Sequence, residues 1–256
     1  MIIDSFCGPG AEGNRHQIIA FKQATVSARF KRLEHLPTPI VDTQGNSITL
    51  WQQGQFYCAR FFTRGQSVRR CGSGNIALAA YLYSRQYQRP FTVPLHTDAG
   101  TLVIGVDQRG AFYGDQPCAI TGEDDPARWA QLCQTTVVKA VRMGGRQDYI
   151  LLLLPDVAAL LQLKLCSDAL KRYSERAVIA LAAAQQHWQL RYFAPQYAES
   201  EDAATGSACV QASAYLANTS PQRLFRFVQR SRAGGIIHTE YQAHQVTVRG
   251  DYQLHG

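Results

Sequence analysis

The chain contains the same short construction twice. "CGSGNIALAAYL" begins at Cys71 and "TGSACVQASAYL" begins at Thr205, and the two align without a gap. A β-type run precedes each of them, "RFFTR" from Arg60 and "RYFAP" from Arg191. An extended run that leads through a glycine turn into an alanine-rich segment predicts a strand, a loop and a helix. Similarity over all three parts favours two halves of related build; the alternative is two unrelated strand–turn–helix units with small residues for close packing.

Patterns elsewhere in the chain predict an α+β fold. Strands are predicted at "QFYCARFF", "TLVIGV", "DYILLLLP", "RAVIAL", "HWQLRYFAP" and "HQVTVRG". Helices are predicted at "DVAALLQL" and at "DDPARWAQLC", where Asp125 precedes a proline suited to a first helical turn. The stretch "ITGEDDP" around Gly122 is the most linker-like. We expect an N-terminal lobe over 1–115, with the last strand, about 245–256, as a candidate addition to it, and a C-terminal lobe over 116–244.

Composition excludes several classes of protein. The 256 residues are 46% hydrophobic and 18% charged, which is typical of a globular chain with enough material for one or two domains. No apolar run approaches the roughly 18 residues that span a bilayer. The N-terminus has neither the basic nor the apolar region of a secretion signal. The expected location is therefore cytoplasmic, without membrane contact.

Cysteine spacing and charge narrow the expected ligands. The seven cysteines include no C-x-x-C pair, which argues against a disulfide framework and against a structural zinc site, so no metal is expected. The formal net charge of +7 is dispersed, without a recognisable nucleic-acid module, and suits small acidic substrates equally well. Nucleic acid is not an expected partner. The glycines of "GPGAEG" lack the strand–turn–helix frame of a dinucleotide site, so no cofactor is expected.

The two glycine loops indicate a site for a carboxylate. A helix N-terminus carries unpaired N–H groups and about half a positive charge, and a neighbouring glycine allows a substrate oxygen to approach the backbone. If the two lobes face each other, Cys71 and Thr205 flank a bound molecule from opposite sides. Arg69 and Arg70 precede Cys71. Because positive charge and a helix N-terminus favour thiolate, we expect Cys71 to be the most reactive cysteine.

Several motifs resemble the phenazine-biosynthesis PhzF-like family, within the broader diaminopimelate-epimerase fold. "RYFAPQYAESEDAATGSA" is similar to the family's arginine–x–phenylalanine–alanine–proline segment and to its glutamate–aspartate–x–alanine–threonine–glycine–serine–alanine motif. "DSFCGPGAEGN" is similar to the family's opening, "CGSGNIALAA" to its cysteine–glycine–histidine–alanine loop, and "VTVRG" to its last strand. The resemblance covers nearly the whole chain. It implies two pseudo-symmetric lobes, each a curled, mostly antiparallel sheet around a central helix, with the active site in the cleft between them.

The resemblance also implies a set of site residues. The candidate catalytic residues are Cys71, Asp202 and Glu34. The candidate substrate-binding residues are Asn14, Gly72, Ser73, Gly74, Thr205, Gly206 and Ser207. Two positions depart from the family pattern: Ser73 stands where the loop usually carries histidine, and Thr38 stands at the usual position of a catalytic glutamate. A small shift of the alignment offers Glu34 or His35 there instead.

We call the N-terminal ends of the two predicted helices, at residues 71–74 and at residues 205–207, the helix mouths. Only one of them carries a cysteine, which favours one-base chemistry. Racemases of the wider superfamily use two cysteines, one on each face of the substrate, and the hydroxyl of Thr205 is too weak an acid or base to replace a thiol. Asp202 either shuttles the proton or caps the helix that begins near Thr205. The expected function is a cofactor-independent isomerase that shifts a proton next to the carboxylate of a small organic or amino acid.

Two alternatives stay open. One is a one-base dehydratase, lyase or epimerase of the same superfamily. The other is a catalytically silent homologue that binds a metabolite or a partner protein. Ser73 and Thr38 favour the silent homologue, whereas the retained "EDAATGSA" and the arginines before Cys71 oppose it. The expected partner is a small carboxylic-acid substrate, and the sequence leaves room for a homodimer.

Overall fold

The chain has a mixed α+β fold. The computed structural model describes residues 1–21, 45–197 and 200–255. The described chain divides into two compact units: Met1–Asp115 together with Arg249–Gly256, and Gln116–Val248. No helix within these described ranges is long and apolar enough to cross a membrane.

Strands make up most of the regular structure. In the described ranges the strands are β1 (Ile2–Cys7), β2 (Asn14–Ala20), β3 (Asn46–Gln53), β4 (Phe56–Thr63), β5 (Gln66–Val68), β6 (Phe91–Thr97), β7 (Gly100–Asp107), β8 (Gly110–Asp115), β9 (Ile120–Asp124), β10 (Lys139–Met143), β11 (Tyr149–Leu153), β12 (Ala177–Ala183), β13 (Trp188–Phe193), β14 (Leu224–Gln229), β15 (Gly235–Gln242), β16 (Gln245–Arg249) and β17 (Asp251–His255). The α-helices are α1 (Gly72–Leu82), α2 (Pro126–Cys133), α3 (Val157–Gln162), α4 (Ser167–Tyr173) and α5 (Gly206–Thr219). A π-helical turn, Tyr83–Tyr87, extends α1, and a 3₁₀ turn, Pro195–Tyr197, follows β13.

Strand pairing in the first unit follows a definite order. β1 pairs antiparallel with β17 and with β2, and β2 pairs parallel with β3. β3 and β4 are antiparallel, and β4 pairs parallel with β6. The antiparallel pairs β6–β7 and β7–β8 complete the order. Because parallel neighbours need a crossover connection, a long segment must join β4 to β6, and that segment contains α1.

The second unit repeats this order. β10 pairs antiparallel with β9 and with β11, and β11 pairs parallel with β12. β12 and β13 are antiparallel, β13 and β14 are parallel, and β14 and β15 are antiparallel. The crossover from β13 to β14 contains α5. The repeat seen around Cys71 and Thr205 is therefore a repeat of sheet topology, with α1 and α5 in equivalent positions.

These two helices are central to their units. Nearly every residue of α1 is buried, and the helix contacts β1, β2, β7, β8 and β17. α5 is buried over most of its length and contacts β11, β12 and β15. A helix that is buried along most of its length needs cover from neighbouring elements, and the strands that it contacts supply this cover.

The other helices pack in the second unit around a separate core. Trp129 of α2, Leu160 of α3 and Leu170 of α4 share this core with Ile150 and Val178 of the sheet. Both helices expected in this region are present. The Asp125 carboxylate accepts the N–H of Ala127 at 2.9 Å where α2 begins, and the Asp156 carboxylate accepts the N–H of Ala159 at 2.8 Å where α3 begins. Each bond satisfies a donor that the first helical turn leaves unpaired.

The prediction that the stretch around Gly122 is a linker is wrong. Ile120–Asp124 is strand β9, which pairs antiparallel with β10 and places Gly122 opposite Arg142. Its residues are exposed or half-buried, so no apolar alternation marked it as a strand. Gly122 has φ +146°, and an added Cβ would lie 2.8 Å from the Arg142 guanidinium, which explains the glycine within the strand.

Candidate active site

Cys71 occupies the N-cap of α1. Its backbone is extended (φ −146°, ψ 97°), and its sulfur accepts the N–H of Gly74 at 3.4 Å. This bond satisfies one donor at the helix N-terminus and holds the sulfur over the first turn. Gly74 permits the approach, because a Cβ there would lie 3.1 Å from the Cys71 sulfur and 2.8 Å from the Phe61 ring.

Two side chains continue from this sulfur into the protein. Sγ of Cys71 lies 3.5 Å from Oγ of Ser73, and that oxygen lies 2.9 Å from Nε2 of His16. Ser73 belongs to the first turn of α1, whereas His16 belongs to β2. Ser73 is 5% exposed and His16 is 1% exposed. The three residues form a continuous polar chain from a half-buried thiol to a buried imidazole.

The imidazole at the end of this chain is neutral at physiological pH. Burial lowers the pKa of His16 from 6.5 to about 4, because a charged ring is costly away from water. The Asp4 carboxylate acts in the opposite direction, but it accepts two bonds from Arg15, at 2.8 and 2.9 Å, and lies 2.7 Å from Nε2 of His255. The Arg15 bond keeps the pKa of Asp4 below its ordinary value.

Asn14 begins the strand that carries His16. Side chains two positions apart on a strand share a face, and burial at Asn14, His16 and Ile18 follows that alternation. The Asn14 carbonyl accepts the Ser5 hydroxyl at 3.3 Å. This predicted binding residue therefore lies on the strand face that supplies the contact with Ser73.

Thr205 occupies the equivalent N-cap, at the start of α5. Its backbone is extended (φ −117°, ψ 95°), as at Cys71, but its side chain makes no capping bond. The hydroxyl instead donates to Oδ2 of Asp202 at 2.5 Å. The first turn, with Gly206 and Ser207, thus begins with backbone N–H groups that the Thr205 hydroxyl does not engage. Helix N-termini of this kind bind anions.

One buried amide holds the loop between Asp202 and Thr205. Oε1 of Gln229 accepts the N–H of Thr205 at 2.7 Å. Nε2 of Gln229 donates to the carbonyl oxygen of Asp202 at 2.6 Å and to the hydroxyl of Thr205 at 3.2 Å. Gln229 ends β14 and is 1% exposed. Because all three bonds reach the same loop, they fix the hydroxyl and carboxylate relative to the sheet.

An ion pair attaches the same loop to β13. Arg191 donates to both carboxylate oxygens of Glu201, at 2.7 and 2.9 Å, and to the carbonyl oxygens of Leu160 and Leu163, at 3.3 and 2.8 Å. The guanidinium also lies 4.9 Å from the ring centroid of Phe193. Arg191 and Glu201 of the sequence motif therefore support the loop, because the bidentate pair fixes it to the strand.

The described residues offer no metal centre. No group of three or more histidine, cysteine, aspartate or glutamate side chains among them could hold an ion. A cavity of about 460 Å³ opens in the second unit beside Lys164, Arg191 and Glu201. Neither Asp202 nor Thr205 lines this cavity, so it is a different place from the candidate active site.

The predicted residues fall into two sets. In the first unit the structure places Asn14 on β2, Cys71 at the N-cap and Gly72, Ser73 and Gly74 in the first turn of α1. In the second unit it places Asp202 in the loop, Thr205 at the N-cap and Gly206 and Ser207 in the first turn of α5. Glu34 lies outside the described residues, together with Thr38 and His35.

Sequence reasoning missed His16 and Gln229. Both are polar residues at inward positions of alternating strands: His16 stands between Asn14 and Ile18, and Gln229 follows Phe225 and Phe227 at two-residue spacing. A polar residue where the alternation calls for an apolar one is the signal that could have identified them.

Comparisons with known proteins agree with this architecture. A family model described as phenazine biosynthesis-like protein matches residues 48–252. A protein of Vibrio cholerae, named an uncharacterized isomerase, is 26% identical over 246 residues, covering 93% of this chain and 82% of its own. The crystal structure of a PhzF-family protein from Enterococcus faecalis has a TM-score of 0.81 at 20% identity, covering 100% of this chain and 95% of its own. A PhzC/PhzF protein from Clostridium difficile gives 0.79 at 22% identity, with 100% and 96% covered. These crystal structures share the fold of this chain.

Proposed function

The chain belongs to the phenazine biosynthesis-like family, and from this premise we propose that it is an isomerase that moves a proton next to the carboxylate of a small organic or amino acid. The name of the Vibrio cholerae relative supports this reaction class. The observation that carries the proposal is the matched pair of helix mouths. Cys71 and Thr205 occupy equivalent N-caps, with similar extended backbones and a glycine directly after each.

The helix mouths are the proposed receptors for negative charge. Backbone N–H groups in the first turns of α1 and α5 would bind the substrate carboxylate and stabilise the enolate-like charge that develops when the neighbouring carbon loses its proton. Such donors are fixed by the helix before the substrate arrives, so they need little rearrangement during the reaction. The action of both mouths on one substrate is part of the proposal.

Cys71 is the proposed base. A thiolate is the form of cysteine that accepts a proton, and the helix N-terminus and Ser73 both favour it. Thr205 cannot act as a second base, because a hydroxyl gives up its own proton too reluctantly. The Thr205 hydroxyl donates to the carboxylate of Asp202. If Asp202 were protonated, that hydroxyl would be free to donate to the substrate instead. The proposed chemistry is one-sided and uses no cofactor.

Hydrogen exchange in deuterium oxide tests this function. A panel of small carboxylic and amino acids is incubated with the protein and analysed by NMR and mass spectrometry. A substrate should take up deuterium stereospecifically, or lose a leaving group, without becoming a racemate. Cys71→Ala should abolish the exchange, and Cys166→Ala, at an exposed cysteine, should leave it unchanged.

The other outcomes are equally informative. If exchange survives in Cys71→Ala but not in Asp202→Asn, Asp202 is the base and Cys71 serves binding. Thr205→Ala should weaken binding more than it alters stereochemistry. Rapid racemisation of an α-amino acid would contradict the one-base scheme. Failure of every acid in the panel to exchange would favour a silent homologue that only binds a metabolite or a partner.

A further inference from the structure

A buried histidine stands behind the proposed base. His16 lies within β2, which pairs with β1 on one side and β3 on the other, and its register partners are Ile3 and Asn46. Two ladders therefore fix the backbone of His16. Its ring reaches Oγ of Ser73 at 2.9 Å, and Ser73 reaches the Cys71 sulfur at 3.5 Å.

We infer that His16 is a positioning residue for Cys71: through the Ser73 hydroxyl, it keeps a hydrogen-bond donor directed at the Cys71 sulfur. The inference deepens the proposed function, in which Cys71 is the base, and its catalytic meaning rests on that function. The relevant contacts all lie in the first unit and involve no substrate.

The direction of the hydrogen bonds follows from the other ring nitrogen. Nδ1 of His16 is buried and has no hydrogen-bond partner within the described part of the chain. A buried N–H without an acceptor is rarer in proteins than an acceptor without a donor, so the proton belongs on Nε2. Nε2–H then donates to Oγ of Ser73. The single hydroxyl proton of Ser73 is left to point at the sulfur, since its oxygen is already an acceptor.

Burial, and not the surrounding charges, makes His16 a neutral donor instead of a base. The pKa of its ring lies at about 4, so the ring is uncharged at neutral pH and is too weak a base to take up a proton there. Asp4 on β1 is the charged group that acts on the ring, and it is occupied by Arg15 and His255. The chain from Nε2 to the sulfur therefore consists of neutral donors. Such donors stabilise a thiolate more than a thiol, because a charged acceptor forms the stronger bond.

The rate at which Cys71 is alkylated measures this effect without any substrate. Wild type, Ser73→Ala, His16→Leu and His16→Gln are treated with limiting iodoacetamide over a range of pH, and each cysteine is quantified by peptide mass spectrometry. We expect Ser73→Ala and His16→Leu to move the Cys71 profile up by about one pH unit, which slows alkylation at pH 7 about tenfold. Exposed Cys166 is the reference in every sample, and its rate should not change.

Two further comparisons separate positioning from packing. The amide of His16→Gln places an N–H near the position of Nε2, so this variant should keep most of the wild-type rate. The double variant His16→Leu with Ser73→Ala should be no slower than Ser73→Ala alone, because His16 acts through that hydroxyl. A wild-type profile in His16→Leu, equal slowing in His16→Gln, or additional slowing in the double variant would each overturn the inference.

Folding and function are monitored separately. Circular dichroism and thermal unfolding identify a variant that does not fold. If His16→Leu does not fold, the comparison is between Ser73→Ala and the double variant Ser73→Ala with His16→Gln. Cys71 should be alkylated at equal rates in these two variants, because His16 acts through the Ser73 hydroxyl. If the alkylation profiles are as expected but no acid exchanges deuterium, the proposed function is wrong and this inference stands. If an acid exchanges deuterium but the alkylation profile of Cys71 does not change when Ser73 or His16 is replaced, this inference is wrong and the proposed function stands.

Discussion

Gln229 holds Thr205 across 24 residues of chain: its Oε1 accepts the N–H of Thr205 at 2.7 Å, while its Nε2 bonds the hydroxyl of the same residue at 3.2 Å. The third bond, to the carbonyl of Asp202, uses the remaining donor at 2.6 Å. A glutamine buried at the end of β14 therefore determines where the hydroxyl and carboxylate of the second helix mouth stand.

Replacing Gln229 should destabilise the protein. Gln229→Leu leaves the N–H of Thr205 and the carbonyl of Asp202 without this partner, so we expect the free energy of unfolding to fall by about 2–3 kcal/mol. Urea denaturation measures the change. Gln245→Leu, at an exposed position of β16, is the control and should change it by less than about 0.5 kcal/mol. Similar losses in both variants would contradict the assigned role of Gln229.

His16 should make the protein less stable in acid. In the unfolded chain the ring protonates near its ordinary pKa of 6.5, whereas in the folded protein it protonates near 4. Between these values the unfolded chain binds more protons, so the free energy of unfolding falls as pH is lowered. The contribution is absent well above pH 6.5 and reaches about 3 kcal/mol near pH 4.

His16→Leu should remove this part of the pH dependence. Unfolding by urea at pH 7 and at pH 4 gives the slope for wild type and variant. Gln245→Leu, at an exposed position of another strand and without a titrating side chain, should retain the wild-type slope. If His16→Leu and wild type lose the same free energy between the two pH values, His16 is not held neutral by burial.

The Arg191–Glu201 pair should matter more than a surface pair of similar length. Arg191→Leu leaves Glu201 and two backbone carbonyls without their donor, so a loss of about 2 kcal/mol in unfolding free energy is expected. Arg146 and Glu175 form a 2.8 Å pair, but the Arg146 side chain is 85% exposed, against 16% for Arg191. Arg146→Leu should therefore cost less than about 0.5 kcal/mol. Equal losses in urea denaturation would show that the Arg191 contacts add nothing.

Cysteine labelling should follow burial and position. Cys71 should react first with limiting iodoacetamide, and exposed Cys166 should follow. Burial raises the pKa of Cys133 to about 12 and that of Cys209 well above its ordinary value, so both should stay unlabelled in the folded protein. Peptide mass spectrometry gives the order. Early labelling of Cys209 or Cys7 would contradict it, and full labelling in denaturant confirms that every site can be detected.

The sequence by itself determined the elements that depend on neighbouring residues. The strand before each helix mouth, the starts of α1 and α5 directly after Cys71 and Thr205, and the cap of α2 at Asp125 all follow from short patterns. An N-cap bonds a residue two or three positions away, and alternation is complete within one strand, so these features are readable locally. The polar strand around Gly122 escaped because it lacks the alternation.

The tertiary structure alone decided what stands behind the two helix mouths. His16 meets Ser73 across 57 residues, and Gln229 meets Thr205 across 24. Alternation indicates that both side chains point inward, but it does not indicate which residue they meet. That partner depends on the register of each strand and on how the central helix lies against the sheet. Both are set by packing between segments distant in the chain, which no local pattern records.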